Sequence, residues 1–190
     1  GINVPHINLG IDKLSQKEKL YIDFAVKNKV NFIGVSFVED KKYINKIRNF
    51  IKGNNLKIIA KIENQGGLNN MKSIIEHSDG IMIDRGDLSI ETNVESIALY
   101  QKKIIRTCQL LSKPVIVATE MLDSMIIKPF PTKAEIADIS NAIIDGASCV
   151  MLSGETAVGA FPTGSIKIMT EVSKKVEANT SFNINNLADN

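Results

Sequence analysis

The sequence contains few of the residues from which disulfide frameworks and cysteine metal sites are built. Its 190 residues include two cysteines, Cys108 and Cys149, no C-x-x-C pair and no tryptophan. Two thiols cannot form the multiple bridges of a small secreted domain, so a reducing compartment is expected. Cys108 falls on an apolar helical stripe and Cys149 in a predicted strand, so we expect both thiols to be buried in the core.

Long apolar runs and an excess of one charge are also missing. No apolar stretch approaches the roughly 18 residues that span a bilayer, and we expect no secretory signal at the N-terminus. Lys and Arg number 23 against 21 Asp and Glu, a balance that indicates neither nucleic acid nor a membrane as a partner. A hydrophobic content of 44% predicts a folded globular chain, of about one domain for this length.

Five short β-branched segments predict strands that are buried on both faces. They are Asn31–Phe37, Leu56–Ile62, Gly80–Asp84, Pro114–Thr119 and Cys149–Leu152. Apolar residues recur with helical spacing between these segments, and a further helix is predicted over Ser15–Lys27. Alternation of strand and helix predicts right-handed βαβ units, hence an α/β fold with a parallel sheet.

Several residues mark where the helices begin and end. Ser15-x-x-Glu18 and Thr132-x-x-Glu135 are capping-box patterns, in which each side chain bonds the backbone N–H of the other residue. Pro162 suits the first turn of the last helix. Gly53 and Gly146 stand where a left-handed residue would end a helix.

Two architectures fit this order, a doubly wound open sheet and a (β/α)8 TIM barrel. No G-x-G-x-x-G follows a strand and no G-x-x-x-x-G-K-[ST] occurs, which weakens the nucleotide-binding open sheet. A complete barrel has eight strands in about 250 residues. We therefore predict an incomplete barrel of about five βα units over residues 15–178, preceded by an entry segment over 1–14 and followed by a polar tail or linker over 179–190.

Polar residues follow each predicted strand, at the edge where parallel α/β folds place their chemistry. Lys61 and Glu63 are two apart, so on a strand their side chains share one face. Asp87 follows the neighbouring strand, and two carboxylates from adjacent strand ends suit Mg²⁺. A lysine beside that ion is favourable only with an anionic ligand between them, which indicates a phosphorylated or carboxylated substrate. The peptide N–H groups of Gly86 and Asp87 can approach an oxyanion closely because glycine has no side chain.

Each of these residues taken alone has an ordinary structural explanation. Lys61 would be a solvated rim residue, Glu63 a salt-bridge partner, Asp87 a helix cap and Thr119 a plain strand residue. Their joint occurrence at successive strand ends favours a functional site.

At these residues the sequence resembles the pyruvate kinase family. The resemblance runs from Gly1 to about residue 175. Its segments are Lys57–Asn64 (KIIAKIEN), Ser78–Leu88 (SDGIMIDRGDL), Lys113–Met121 (KPVIVATEM), Leu122–Ala134 (LDSMIIKPFPTKA) and Asp145–Ala157 (DGASCVMLSGETA). It implies that the chain carries the last five βα units of a catalytic barrel and that residues 1–14 follow a lid domain absent from this segment.

The resemblance also implies roles for individual residues in transfer of a phosphoryl group from phosphoenolpyruvate to ADP. Lys61 would neutralise charge on the phosphoryl group and the developing enolate, and Glu63 and Asp87 would hold Mg²⁺ or Mn²⁺. The N–H groups of Gly86 and Asp87, with the Thr119 hydroxyl, would bind the substrate carboxylate. The residues expected to support this set without contacting substrate are Ser36, Arg85, Ser153 and Glu155.

Three residues depart from the pattern that this family most often shows. Asp84 stands in place of alanine, Ser89 in place of glycine or alanine, and Glu120 in place of glutamine or asparagine. Asp84 matters most, because a further carboxylate beside an anionic substrate is repulsive unless a metal or a cation pairs with it. Arg85, the metal or a basic residue outside the segment would satisfy it.

The resemblance further implies ATP as product, a cytoplasmic homotetramer and a possible K⁺ ion whose ligands lie outside this segment, which we expect to be inactive alone. An alternative is a Mg²⁺-dependent aldolase or lyase of the phosphoenolpyruvate/pyruvate superfamily, since those enzymes also place a glutamate and an aspartate at adjacent strand ends. Lys61 and the segment Ser153–Thr156 favour the kinase. A non-enzymatic binding or assembly module is the third interpretation.

Overall fold

The computed structural model describes residues 14–180, with the side chain of Thr180 excepted. Residues 1–13 of the predicted entry segment (1–14) and residues 181–190 of the predicted tail (179–190) lie outside this range. Within it, strands and helices alternate. The strands are β1 (Phe32–Val35), β2 (Lys57–Ile62), β3 (Gly80–Asp84), β4 (Val115–Ala118) and β5 (Cys149–Met151). The helices are α1 (Gln16–Lys27), α2 (Lys41–Phe50), α3 (Gln65–Asn69), α4 (Met71–His77), α5 (Arg85–Glu91), α6 (Ile97–Leu110), α7 (Lys133–Ile144), α8 (Gly154–Ala157) and α9 (Pro162–Thr180), with 3-10 turns at Val94–Ser96 and Asp123–Ile126. The chain divides into two compact units between Val115 and Ile116.

The first unit is built on three parallel strands in chain order. β1 pairs with β2, with Phe32 opposite Lys57, and β2 pairs with β3, with Ile62 opposite Ile83. Isoleucines from these strands and from α2, α4 and α6 form its core, and the fully buried ones include Ile44, Ile58, Ile62, Ile74, Ile75, Ile81, Ile83, Ile104 and Ile105. Strands β2 and β3 are buried along most of their length, as their continuous apolar sequences predict.

The second unit has the parallel pair β4 and β5, with Ile116 opposite Cys149 and Ala118 opposite Met151. Helix α7 packs against α9 and β5. Helix α8 packs against α9 and the 3-10 turn at Asp123–Ile126. Among the described residues of this unit, the fully buried apolar side chains are Val117, Ala118, Met121, Leu122, Met125, Ile139 and Ala142.

The helix signals of the sequence are confirmed. Both capping boxes form: the Glu18 N–H donates to the Ser15 hydroxyl and the Ser15 N–H to the Glu18 carboxylate, and Thr132 and Glu135 exchange the same pair of bonds. Helix α9 begins at Pro162. Gly53 and Gly146 follow helices α2 and α7 with φ of 87° and 100°, which glycine adopts without a side-chain clash.

Two expectations are wrong in detail. Between β2 and β3 the apolar residues have helical spacing, but the structure has two helices there instead of one. They meet at Asn70, whose side-chain amide donates to the carbonyls of Glu39 and Gly66. Cys149, expected in the core, is exposed while Cys108 is buried, because β5 lies against β4 and its first side chain has no layer over it in the described structure.

Alternating parallel strands and helices confirm the predicted α/β fold, and five βα units agree with part of a (β/α)8 barrel. Among the described residues, we find no helix that combines the length and the apolar character needed to cross a bilayer.

Candidate active site

Strand register brings the first two carboxylates of the site together. Ile62 of β2 lies opposite Ile83 of β3, so the next residues, Glu63 and Asp84, follow as neighbours and face the same way. Asp87 lies three residues after Asp84, in the first turn of α5, and residues three apart share a helix face. The three carboxylates thereby converge, with oxygen atoms that lie within 4.8 Å of one another.

Lys61 contacts two of these three carboxylates. Glu63, Asp84 and Asp87 together with Lys61 are named here the carboxylate cluster. Its Nζ atom lies 2.5 Å from Glu63 Oε1 and 2.9 Å from Asp84 Oδ2, and it donates a hydrogen bond of 3.2 Å to the Ser36 hydroxyl. Burial acts to lower the pKa of Lys61, but the hydrogen bonds and charges of Glu63 and Asp84 outweigh it and raise that pKa. Lys61 is therefore held as an ammonium ion.

Glu63 is the most deeply buried member of the carboxylate cluster, with no solvent-accessible side-chain surface. The N–H of Phe37 donates to Oε2. Oε1 is buried and has no hydrogen bond of good geometry, although the Lys61 ammonium lies close to it. Burial raises the pKa of Glu63, and the bonds from Lys61 and Phe37 counteract only part of that rise.

This arrangement fits a small divalent cation. At Mg–O distances of about 2.0–2.1 Å, oxygens on opposite sides of Mg²⁺ are about 4.2 Å apart, and the three carboxylates offer oxygens that lie within 4.8 Å of one another. Glu63 Oε1 is buried and has no hydrogen bond of good geometry, so it has a lone pair that a metal ion would satisfy. Lys61, Glu63 and Asp87 are thus brought together as the sequence predicts, and Asp84 joins them.

Arg85, Gly86 and Ser89 lie on α5, the helix that carries Asp87. Arg85 is buried and donates a hydrogen bond of 3.4 Å to the Gln101 side chain on α6. Gly86 and Asp87 lie in the first turn of the helix, and the Ser89 hydroxyl donates to the Gly86 carbonyl. The proposed contact of the Gly86 and Asp87 N–H groups with a substrate carboxylate stays a prediction.

The turn after β4, in the second unit, carries unusual backbone. Thr119 and Glu120 have φ of 69° and 55°, in the left-handed region that a β-branched residue rarely adopts. The Thr119 hydroxyl donates to the carbonyl of Ala118. Backbone strain of this kind concentrates at functional sites. It therefore favours a functional position for Thr119, and contact of its hydroxyl with a substrate stays a prediction.

Glu155, in the same unit, is buried and binds two backbone amides. The Leu122 N–H donates to its Oε1 and the Ser153 N–H to its Oε2, each at 2.8 Å. It therefore ties the segment after β5 to the segment after β4. Placement of Ser153 and Glu155 near a reacting enolate stays a prediction.

Two features of the site, the place of Asp84 and the N–H donor of Phe37, cannot be read from local sequence patterns. In the sequence Asp84 is only a departure from the family pattern, because its place beside Glu63 depends on the register between β2 and β3. The N–H of Phe37, a residue with φ of 51°, left no signal in the sequence because a backbone donor carries no residue-type signature.

Comparison with known proteins decides the family. The family model described as pyruvate kinase, barrel domain, matches residues 1–166. The chain belongs to the pyruvate kinase family.

Curated relatives named pyruvate kinase agree with this membership. The chain is 48% identical over 179 residues to the Hypocrea jecorina protein, covering 93% of this chain and 33% of that one. It is 41% identical over 185 residues to the Clostridium acetobutylicum protein, covering 96% and 39%, and 46% identical over 171 residues to pyruvate kinase 2 of Saccharomyces cerevisiae, covering 89% and 34%. The chain thus spans little more than a third of the pyruvate kinases it matches.

Proposed function

We propose that the complete protein in which this chain occurs transfers a phosphoryl group from phosphoenolpyruvate to ADP, giving pyruvate and ATP. In that reaction an oxygen of the ADP β-phosphate bonds to phosphorus, the bond from phosphorus to the enol oxygen breaks, and the enolate carbon takes up a proton. The proposal rests on membership of the pyruvate kinase family together with the carboxylate cluster. A K⁺ requirement, a homotetramer and a cytoplasmic location are proposed from the family resemblance alone.

The observation that carries the proposal is the position of Lys61. Its ammonium lies within 3 Å of Glu63 and Asp84 at the carboxyl ends of two neighbouring strands, where α/β barrels bind substrates. Phosphoryl transfer needs positioning and charge stabilisation more than covalent help from the protein. A partly buried ammonium would supply that stabilisation to the phosphoryl oxygens and to the enolate oxygen.

Glu63 and Asp87 would hold Mg²⁺ or Mn²⁺. When bound, this ion would supply positive charge to the substrate oxygens. Phe37 and Lys61 orient the Glu63 carboxylate through contacts with each of its oxygens. The backbone of Gly86 and Asp87 would orient the substrate carboxylate, and the same role for the Thr119 hydroxyl rests on the resemblance.

A steady-state assay of Lys61→Met in the complete protein tests this role. We expect pyruvate formation from phosphoenolpyruvate, Mg²⁺ and ADP to fall by about a hundredfold to a thousandfold, since one preorganised charge-stabilising donor contributes about 10²–10³. The matched control is Lys57→Met, which removes an exposed lysine at the opposite end of the same strand. Circular dichroism confirms that both variants are folded. Near-wild-type turnover by folded Lys61→Met would contradict the assignment.

The assay also separates the alternatives. Pyruvate formation that requires ADP supports the kinase, whereas conversion of phosphoenolpyruvate without ADP would indicate an aldolase or lyase. Absence of turnover by the complete wild-type protein, with retained binding of phosphoenolpyruvate by calorimetry, would indicate a binding module.

A further inference from the structure

Asp84 occupies a position where the pyruvate kinase pattern most often has alanine. It is the last residue of β3, it is buried, and its Oδ2 atom lies 2.9 Å from Lys61 Nζ. Its carboxylate also lies within 4.8 Å of the ligand atoms of Glu63 and Asp87. The side chain that departs from the family pattern therefore faces the site instead of turning away from it.

A second observation points to a cation at the same place. Glu63 Oε1 is completely buried, faces the cluster and has no hydrogen bond of good geometry. The Lys61 ammonium beside it is shared with Asp84 and the Ser36 hydroxyl. Buried charged groups are paired or coordinate metals, so this oxygen is suited to bind a cation in addition to the ammonium that it shares.

The charges of the cluster match a divalent ion. Three carboxylates against one ammonium leave two negative charges, which a single divalent cation neutralises. With alanine at position 84, one negative charge would remain, and the ion would depend more on an anionic substrate for its binding.

We propose that Asp84 is a third carboxylate ligand of the divalent-cation site, and that it strengthens binding of the ion in the absence of phosphoenolpyruvate. This inference rests on the cation site of the proposed function. It adds a ligand that the family resemblance does not supply, and it makes binding of the ion depend less on an anionic substrate.

Titration of the complete protein with Mn²⁺, in the absence of phosphoenolpyruvate and followed by electron paramagnetic resonance, tests the inference. We expect Asp84→Ala to weaken Mn²⁺ binding by about tenfold or more, because affinity follows the number of charged ligands. Asp23→Ala is the matched control, since Asp23 lies exposed on α1. Asp84→Asn, which preserves side-chain volume, replaces Asp84→Ala if the alanine variant does not fold.

Two further variants separate this inference from the proposed function. If Glu63→Gln and Asp87→Asn abolish Mn²⁺ binding while Asp84→Ala binds as the wild type does, the role of Asp84 is wrong and the cation site stands. If neither Glu63→Gln nor Asp87→Asn affects Mn²⁺ binding, the cation site and the role of Asp84 both fail.

Tb³⁺ luminescence distinguishes a ligand from a remote charge. Decay rates in H₂O and D₂O count the water molecules bound to the ion, and we expect Asp84→Ala to bind about one more water than the wild type, because water fills the vacated position. Weaker binding with an unchanged water count would show that Asp84 acts through its charge alone, and would overturn its assignment as a ligand.

Discussion

The Lys61 ammonium lies 2.5 Å from Glu63 Oε1, an oxygen that solvent does not reach. Breaking a buried pair by removing one partner is strongly destabilising, since the remaining charge is left buried and uncompensated. The two residues are therefore coupled in stability as well as in the proposed chemistry.

When EDTA removes divalent cations, Lys61→Met is expected to lower the free energy of unfolding by about 3 kcal/mol. Glu63→Gln in the same chain should recover part of this loss, because it removes the stranded carboxylate, with a coupling energy of about 1–3 kcal/mol. Urea unfolding of the wild type, both single variants and the double variant measures the coupling. Lys57→Met should lie within about 0.5 kcal/mol of the wild type, as surface changes do. Additive effects of the two substitutions would contradict the coupling.

The carboxylate of Glu135 joins two segments of the second unit. Ser124 and Thr132 each donate to it from a backbone N–H and a hydroxyl, at 2.6–2.9 Å. Burial acts to raise the pKa of Glu135, but these bonds prevail and lower it below the ordinary value of 4.5. A carboxylate with a lowered pKa in the folded state stabilises the fold above its unfolded pKa and loses that effect as pH falls through the folded value.

We therefore expect the stability difference between the wild type and Glu135→Gln to be about 1 kcal/mol at pH 7, the size of a helix cap. It should shrink as pH falls below about 4.5. Urea unfolding at pH 7, 5, 4 and 3 measures this trend. Glu171→Gln is the control, because Glu171 lies exposed on α9, 4.0 Å from Lys167, and should show little change at any pH. A constant difference for Glu135→Gln across this range would argue against the capping role.

Glu155→Gln tests the buried tie between the segments that follow β4 and β5. The Glu155 carboxylate accepts hydrogen bonds from the backbone N–H groups of Leu122 and Ser153. A glutamine has an NH₂ group in place of one of the two oxygens, so one of these N–H groups loses its acceptor. We expect a loss of about 1–3 kcal/mol in the free energy of unfolding. Faster hydrogen exchange of the Leu122 and Ser153 amides, resolved by NMR, should accompany it. Unchanged hydrogen exchange at both amides would contradict the idea that buried Glu155 stabilises these two segments by accepting their N–H bonds.

Local sequence patterns predict the elements of this fold well. Isoleucine-rich runs such as Lys57–Ile62 become buried parallel strands. The capping boxes that begin at Ser15 and at Thr132 both form as their residue spacing predicts. These signals are local: each depends on residues within a few positions of one another. The division between α3 and α4 is not local, because it depends on a hydrogen bond from Asn70 to the carbonyl of Glu39, 31 residues away.

The site divides in the same way. Lys61 and Glu63 are predicted together because alternation along one strand places both on one face. The role of Asp84 depends on the register between β2 and β3, and the binding of Glu63 by Phe37 depends on a backbone donor 26 residues away. Cys149 is exposed at the start of β5. Its exposure depends on which elements pack over the strand, and the residues of the strand itself do not determine that.

The register between β2 and β3 also determines where the chain tolerates changes in length. An extra residue in the exposed segment 52–55, between α2 and β2, lies outside the paired residues and leaves Glu63 beside Asp84. Removal of a single residue within β2, such as Ile59, moves every later side chain of the strand to the opposite face. Glu63 would then turn away from Asp84 while both residues remained in the sequence, so insertions and deletions inside these strands erase the site more thoroughly than many substitutions do.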